Sequence, residues 1–321
     1  MDFRSTPIQK IDNLIEGLNI YIKRDDLLPF SFGGNKVRIA QEYLDDMENK
    51  GKNCLIGYGS RKSNLCRCLA NLCASKNIPC YIVSPLEDYE EKDKSNNSIL
   101  VKACGATYYC CAKDCVSQTI REVINACEDK GLRPYYINGD IYGEGNEATP
   151  VNAYLKAYKE LCQQSNEMNV VFDYIFLPTG TGMTQAGLIE GQQQLHNYNQ
   201  KIVGISIARE AEKEIKIIEK YIDAYEKENK IHNLKKAEIN LIDNYLCGGY
   251  GKYDTNIQNI ILSVLKIAGV GLEPVYTGKA FYGMIDYLKK NNVRDKNILF
   301  LHTGGLPLFF DFLEGIGDGN K

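Results

Sequence analysis

Residues 54–83 read CLIGYGSRKSNLCRCLANLCASKNIPCYIV. Cys54–Tyr58 and Pro79–Val83 are short, continuous apolar runs, the pattern of strands covered on both faces. Between them Ser63–Ser75 spaces its apolar residues as an amphipathic helix does. A strand, a helix and a second strand make one crossover unit, and such units build parallel sheets. Working outward, Thr107–Cys111 and Pro134–Ile137 repeat the pattern, with Cys115–Asp129 helical between them. Tyr174–Leu177 and Ile202–Ile207 flank a helix beginning near Thr184, and Asn297–Leu301 reads as a late buried strand. The expected class is α/β, with open, doubly wound, mostly parallel sheets.

A chain of 321 residues is long for one core, and about two domains is the expectation. Polar Asp45–Asn53 and glycine-rich Asn138–Asn146 bracket a block with its own strand–helix rhythm. Residues 50–147 are therefore expected to form a small inserted domain, and 1–49 with 148–321 a larger one. The net charge of −3 and pI near 5.8 give no electrostatic footprint for nucleic acid. Mixed-sign clusters at Glu90–Lys94 and Glu210–Lys220 read as solvated faces. The first residues have no apolar signal core, and no run of roughly 18 apolar residues occurs, so a cytoplasmic protein without membrane contact is expected. Twelve cysteines lack paired zinc spacing and lie far from the three histidines, so they are expected to pack as small hydrophobes, without a metal.

Chemistry concentrates first in Tyr21–Arg38, YIKRDDLLPFSFGGNKVR. It ends in a glycine turn that sets Lys36 at the mouth of a helix, with Phe30 and Phe32 just upstream. Read alone, this is either a helix-start turn with an exposed lysine or an amine kept partly dry. A dry amine has a lowered pKa and forms Schiff bases with carbonyls.

The second feature is Leu177–Gly187, LPTGTGMTQAG, which follows a strand and opens a helix. Unpaired N–H groups and the helix dipole favour an anion there, glycines let the backbone close on it, and Thr181 and Thr184 add hydroxyls. The stretch lacks the lysine of a Walker loop and the spacing of a dinucleotide fingerprint. It is either a phosphate cradle or an ordinary strand–helix turn. An imine-forming lysine and a phosphate cradle together point to one cofactor, pyridoxal 5′-phosphate.

Further segments fall in order with these two: Lys23-Arg24-Asp25-Asp26, Ser63-Asn64, Gly248-Gly249-Tyr250-Gly251, Glu273–Lys279 and His302-Thr303-Gly304-Gly305. With them, nearly the whole chain resembles the fold-type II pyridoxal-phosphate enzymes of the group containing 1-aminocyclopropane-1-carboxylate deaminase and D-cysteine desulfhydrase. The resemblance implies two tryptophan-synthase-β-like sheets, a homodimer and a small amino-acid substrate. It makes Lys36 the Schiff-base lysine and Gly180, Thr181, Gly182, Met183 and Thr184 the phosphate loop. Asn64 would sit beside the cofactor's 3′-oxygen, and Ser63 at the substrate's α-carbon and carboxylate. Tyr250 and Tyr276 match active-site tyrosines, proton donors or acceptors.

In the ring-opening deaminases an acidic residue follows the tyrosine of the Pro-Val-Tyr segment, where this chain has Thr277. Desulfhydrase-like members carry a threonine at the position of Thr303. Both threonines are expected near the cofactor. A hydroxyl leaves the pyridine nitrogen less protonated than a carboxylate would, which suits β-elimination better than ring opening. The resemblance thus implies a lyase releasing pyruvate, ammonia and sulfide. Alternatives are a ring-opening deaminase, another β-substituted amino-acid lyase, a non-catalytic cofactor-binding regulator, or a nucleotide-binding protein. One departure bears on substrate. The family's Gln-Ser-Asn-His reads Lys62-Ser63-Asn64-Leu65 here, and Lys62 either meets a second anionic group or points to solvent.

Overall fold

Two mostly parallel sheets with helices organise the chain in the computed structural model, which describes residues 5–12, 14–86 and 95–318. The cluster at Glu90–Lys94 lies outside the described residues. In chain order the elements are β1 (Ile8–Ile11), β2 (Leu18–Lys23), α1 (Asn35–Asn49), β3 (Cys54–Tyr58), α2 (Asn64–Ser75), β4 (Cys80–Pro85), α3 (Asn96–Ala103), β5 (Thr107–Cys111), α4 (Val116–Glu128) and β6 (Pro134–Tyr136). There follow α5 (Val151–Glu167), β7 (Tyr174–Thr179), α6 (Met183–Gln194), β8 (Lys201–Ser206), α7 (Ala211–Glu228), β9 (Asn240–Ile242), α8 (Thr255–Ala268), α9 (Thr277–Lys290), β10 (Lys296–Leu301) and α10 (Leu306–Asp318).

The chain divides into two compact units, Lys36–Pro150 and Asp2–Asn35 with Val151–Lys321. The first holds a four-stranded, all-parallel sheet in the order β5-β4-β3-β6. Cys54, Leu55 and Ile56 of β3 are buried, as continuous apolar runs in parallel sheets require. The sequence expectation began this unit at residue 50, whereas nearly all of α1 belongs to it. Side chains tie α1 there: Tyr135 donates to Asp46 at 2.5 Å, and Lys76 meets Glu48 at 2.6 Å.

The second unit holds six strands in the order β1-β2-β10-β7-β8-β9, parallel except for the antiparallel pair β1–β2. Its core joins Ile20, Ile22, Phe176, Ile205 and Phe300 to Ile261, Phe281 and Met284 of α8 and α9. Phe281 and Phe300 meet edge to face at 4.9 Å. Neighbours β2, β10 and β7 run the same way, so the segments leaving them, Arg24–Asn35, His302–Gly305 and Gly180–Gly182, emerge at one edge. Pairing of β7 with β10 ends at Phe176, so Pro178, which has no N–H to donate, lies beyond it. Carboxyl edges of open parallel sheets are where such folds bind ligands.

Six cysteines, including Cys54, Cys66 and Cys73, are buried, and all twelve are free; Cys110, Cys115 and Cys247 are exposed and are not packing residues. Glu210–Lys220 falls mainly on α7 and is largely solvated, but Glu214 within it is fully buried.

Candidate active site

The lysine turn is seated on Asp25. That buried carboxylate accepts from Thr6 Oγ1 at 2.6 Å and Tyr154 Oη at 2.5 Å, and its carbonyl accepts from Gly34 N at 2.8 Å. Ser31, Phe32, Gly33 and Gly34 all have positive φ, ending at 66° and 102° for the glycines. A Cβ on Gly33 would lie 2.0 Å from the Asp26 carbonyl oxygen, and one on Gly34 2.7 Å from that of Thr303. A Cβ on Gly304 would lie 2.4 Å from Gly34 Cα, so the two turns touch backbone to backbone. Asn35 then opens α1: its N–H donates to the Thr303 carbonyl at 3.1 Å and its side-chain amide to Thr184 Oγ1 at 2.9 Å. Lys36 follows, half-buried. Of the two phenylalanines just upstream, Phe30 is half-buried and Phe32 is 54% exposed.

Beyond β7, Gly182 caps α6 in the left-handed region at φ 75°. Its carbonyl takes the Ala186 N–H at 2.9 Å, leaving the N–H groups before Ala186 outside the helical ladder. Thr181 is exposed and Thr184 buried, with Met183 buried at the helix start. The Arg209 guanidinium binds the Gly180 carbonyl and holds Glu214 Oε2 at 2.9 Å. Backbone donors, threonine hydroxyls and a guanidinium whose carboxylate partner is fully buried make a donor set that fits a phosphate ester.

Tyr250 and Tyr276, singled out among 22 tyrosines, meet hydroxyl to hydroxyl at 2.7 Å, with rings edge to face at 5.9 Å. Glu273, buried, accepts from the N–H groups of Val275, Tyr276 and Thr277 at 2.8, 2.9 and 2.8 Å and fastens the start of α9. Burial pushes its carboxyl up to about 7, against those donors. Thr277 is fully buried and its hydroxyl engages the Glu273 N–H and carboxylate at 2.9 and 3.2 Å. The Thr277 hydroxyl thus braces the helix start as well as standing in the segment expected near the cofactor. Thr303 is buried beside the lysine turn, through the carbonyl that receives Asn35. Neighbouring His302 accepts from Gly304 N at Nδ1 and faces the Gly271 carbonyl with Nε2, the neutral tautomer, and burial lowers its pKa.

In the first unit Ser63 caps α2, its Oγ accepting from Cys66 N at 3.2 Å. Asn64 begins the helix, and its Oδ1 accepts from Asn97 at 3.0 Å, which identifies the amide N–H₂ as the donor end of the side chain. Leu65 is buried in the unit's core, so no side-chain edge replaces the family histidine. Lys62 is half-exposed, and its carbonyl accepts from Asn97 at 2.9 Å.

Three residues that sequence reasoning left without a role stand out: Asn35, Glu273 and Lys279. The last is fully buried on α9. Each lies inside a segment already singled out, and a charged or amide side chain amid glycines and apolar residues was the available signal. Among the described residues no group of three or more His, Cys, Asp or Glu could hold a metal, and no helix is long and apolar enough to cross a membrane.

A family model described as pyridoxal-phosphate dependent enzyme matches residues 1–304. A D-cysteine desulfhydrase of Serratia proteamaculans is 31% identical over 96% of this chain and 93% of its own. A protein of Pyrococcus furiosus named "Putative 1-aminocyclopropane-1-carboxylate deaminase" is 35% identical over 97% and 92%. Among solved structures, an ACC deaminase homologue superposes with a TM-score of 0.85 at 30% identity, covering 98% of this chain and 94% of that one.

Proposed function

The chain belongs to the pyridoxal-phosphate dependent enzyme family, and we propose that within it the protein is a lyase acting on a small β-substituted amino acid, in the manner of a D-cysteine desulfhydrase. From cysteine and one water the products would be pyruvate, ammonia and hydrogen sulfide. Lys36 would hold the cofactor's carbonyl carbon, Gly180–Thr184 its phosphate, the Asn64 amide its 3′-oxygen and Thr303 its ring nitrogen. When bound, the cofactor supplies the electron sink that makes the substrate's Cα proton acidic.

The chain's own groups do the rest. Ser63 and the unpaired N–H groups at the start of α2 suit the substrate carboxylate, because a helix N-terminus favours an anion. The Lys36 amine takes the Cα proton. The observation that carries the reading is the phenol pair: Tyr250 and Tyr276, 2.7 Å apart, form a relay that can give a proton to the departing sulfur and be refilled through its partner. Position 277 bears a hydroxyl and no carboxylate that would keep the ring nitrogen protonated, which favours elimination over ring opening.

We further infer a cytoplasmic homodimer. Exposed Leu27 and Phe32 flank the lysine turn, and exposed Leu306 and Phe310 open α10 just after Gly304, whose backbone touches that turn. Sedimentation at a monomer mass would refute the dimer. The activity is tested on cofactor-loaded protein with D- and L-cysteine, D-serine, β-chloroalanine and 1-aminocyclopropane-1-carboxylate. Pyruvate with sulfide from a cysteine is expected. Release of 2-oxobutyrate from the cyclopropane substrate alone would establish the ring-opening alternative, and no keto acid from any compound would reject catalysis. Lys36→Ala is expected to lose the visible absorbance of bound cofactor, and its persistence would remove Lys36 from the site.

A further inference from the structure

Lys279 is fully buried, yet its ammonium ends on three backbone carbonyls: Ile207 at 3.0 Å, Leu246 at 2.9 Å and Gly249 at 2.9 Å. A buried charge is costly unless fully hydrogen-bonded, and here all three N–H donors are used on uncharged acceptors. Burial lowers the pKa of this amine. Two of the three carbonyls belong to the loop that carries Tyr250.

Within the loop, Gly249 N–H donates to the Leu246 carbonyl at 2.9 Å and Lys252 N–H to the Gly249 carbonyl at 3.3 Å, the same two carbonyls that Lys279 reaches from outside it. Cys247, Gly248, Gly249 and Gly251 all have positive φ, and a Cβ on any of its three glycines would meet nothing within 4 Å. Glycine backbone so unpacked is entropically costly to fix. Lys279 supplies the tie from α9, the helix whose N-cap is Tyr276. The connections close a ring: Tyr250 phenol to Tyr276 phenol, through the first turn of α9 to the Lys279 ammonium, and through the Gly249 carbonyl back to Tyr250.

We propose that Lys279 is a positioning residue, a tethered cation in a carbonyl cage that holds the Tyr250 hydroxyl against that of Tyr276. Its catalytic consequence rests on the lyase reading above, whereas the cage itself does not. The test uses cofactor-loaded Lys279→Ala, with Lys279→Met as a second variant that fills the volume without charge. In Lys279→Ala the cofactor absorbance is expected to persist while kcat falls about tenfold or more and KM stays within about twofold. Ethylammonium or propylammonium is expected to restore kcat saturably, and tetramethylammonium at equal ionic strength to do nothing. Independently of any reaction, the Tm of Lys279→Ala is expected to rise saturably with the same small amines, while Lys279→Met and the wild type do not respond.

Wild-type kcat in both folded variants would overturn the proposal. So would a loss, or a failure to fold, that no alkylammonium repairs and a Tm that none shifts. If the wild type turns over no amino acid, the lyase reading falls, and the Tm response still decides the cage.

Discussion

Glu273 is the residue whose environment makes the sharpest demand. Its carboxyl is pushed by burial from 4.5 to about 7. Between those values the folded protein holds this proton more tightly than the unfolded chain, so the residue's contribution to stability declines as pH rises through that window. Glu273→Gln removes that dependence. The stability of the wild type relative to the variant is expected to drop between pH 4.5 and 7 by on the order of 3 kcal/mol, read from urea midpoints. A gap that does not change with pH would contradict it. For the phenols, Tyr250→Phe and Tyr276→Phe are each expected to lower kcat about 10²- to 10⁴-fold while leaving cofactor absorbance intact. Asn35→Ala removes the bond to Thr184 and is expected to weaken cofactor binding about 5- to 30-fold in a titration of apo-protein. Lys36 and the tyrosines could be singled out in the sequence because glycines mark them locally. Asn35 could not, because its partner lies 149 residues away and only the fold brings the two together.

Among elements, β3 and β5 stand where the sequence reading put them, since continuous apolar runs bounded by polar residues leave little freedom. The reading did not find β1, β2 or β9. The three residues of β9 are only half-buried, and β1 mixes charge with apolar residues at the sheet's edge, so neither shows a clean period. The start of α2 was legible through Ser63, and Ser63→Ala is expected to cost about 1 kcal/mol in chemical denaturation through loss of the cap. An unchanged midpoint would show that the Cys66 N–H finds another acceptor. The tie from Thr277 back to Glu273 was not legible, because sequence spacing places Thr277 beside Tyr276 and only the helix start turns its hydroxyl onto Glu273.

For the whole molecule, the two units differ in how the chain enters them. Lys36–Pro150 is one continuous stretch with its own parallel sheet, and a fragment of these residues is expected to give an α/β circular dichroism spectrum and a cooperative melt. The other unit is discontinuous, and β2 lies between β1 and β10. Deleting residues 5–34 would bare the edge of β10, and aggregation is the expected outcome; a soluble, monodisperse product would contradict it. The unit boundary was legible only to within the length of α1, because α1 is bound to its unit by side chains far along the sequence, such as Tyr135. At Gly34 and Gly304 one peptide chain rests on another with no side chain between them. Such a contact admits no graded change: every substitution adds an atom where none fits. The seat of the lysine can therefore be kept or lost but not tuned, and drift in what the protein accepts has to be written elsewhere. Lys62, a half-exposed side chain rather than a backbone seat, is a position where such change can be graded.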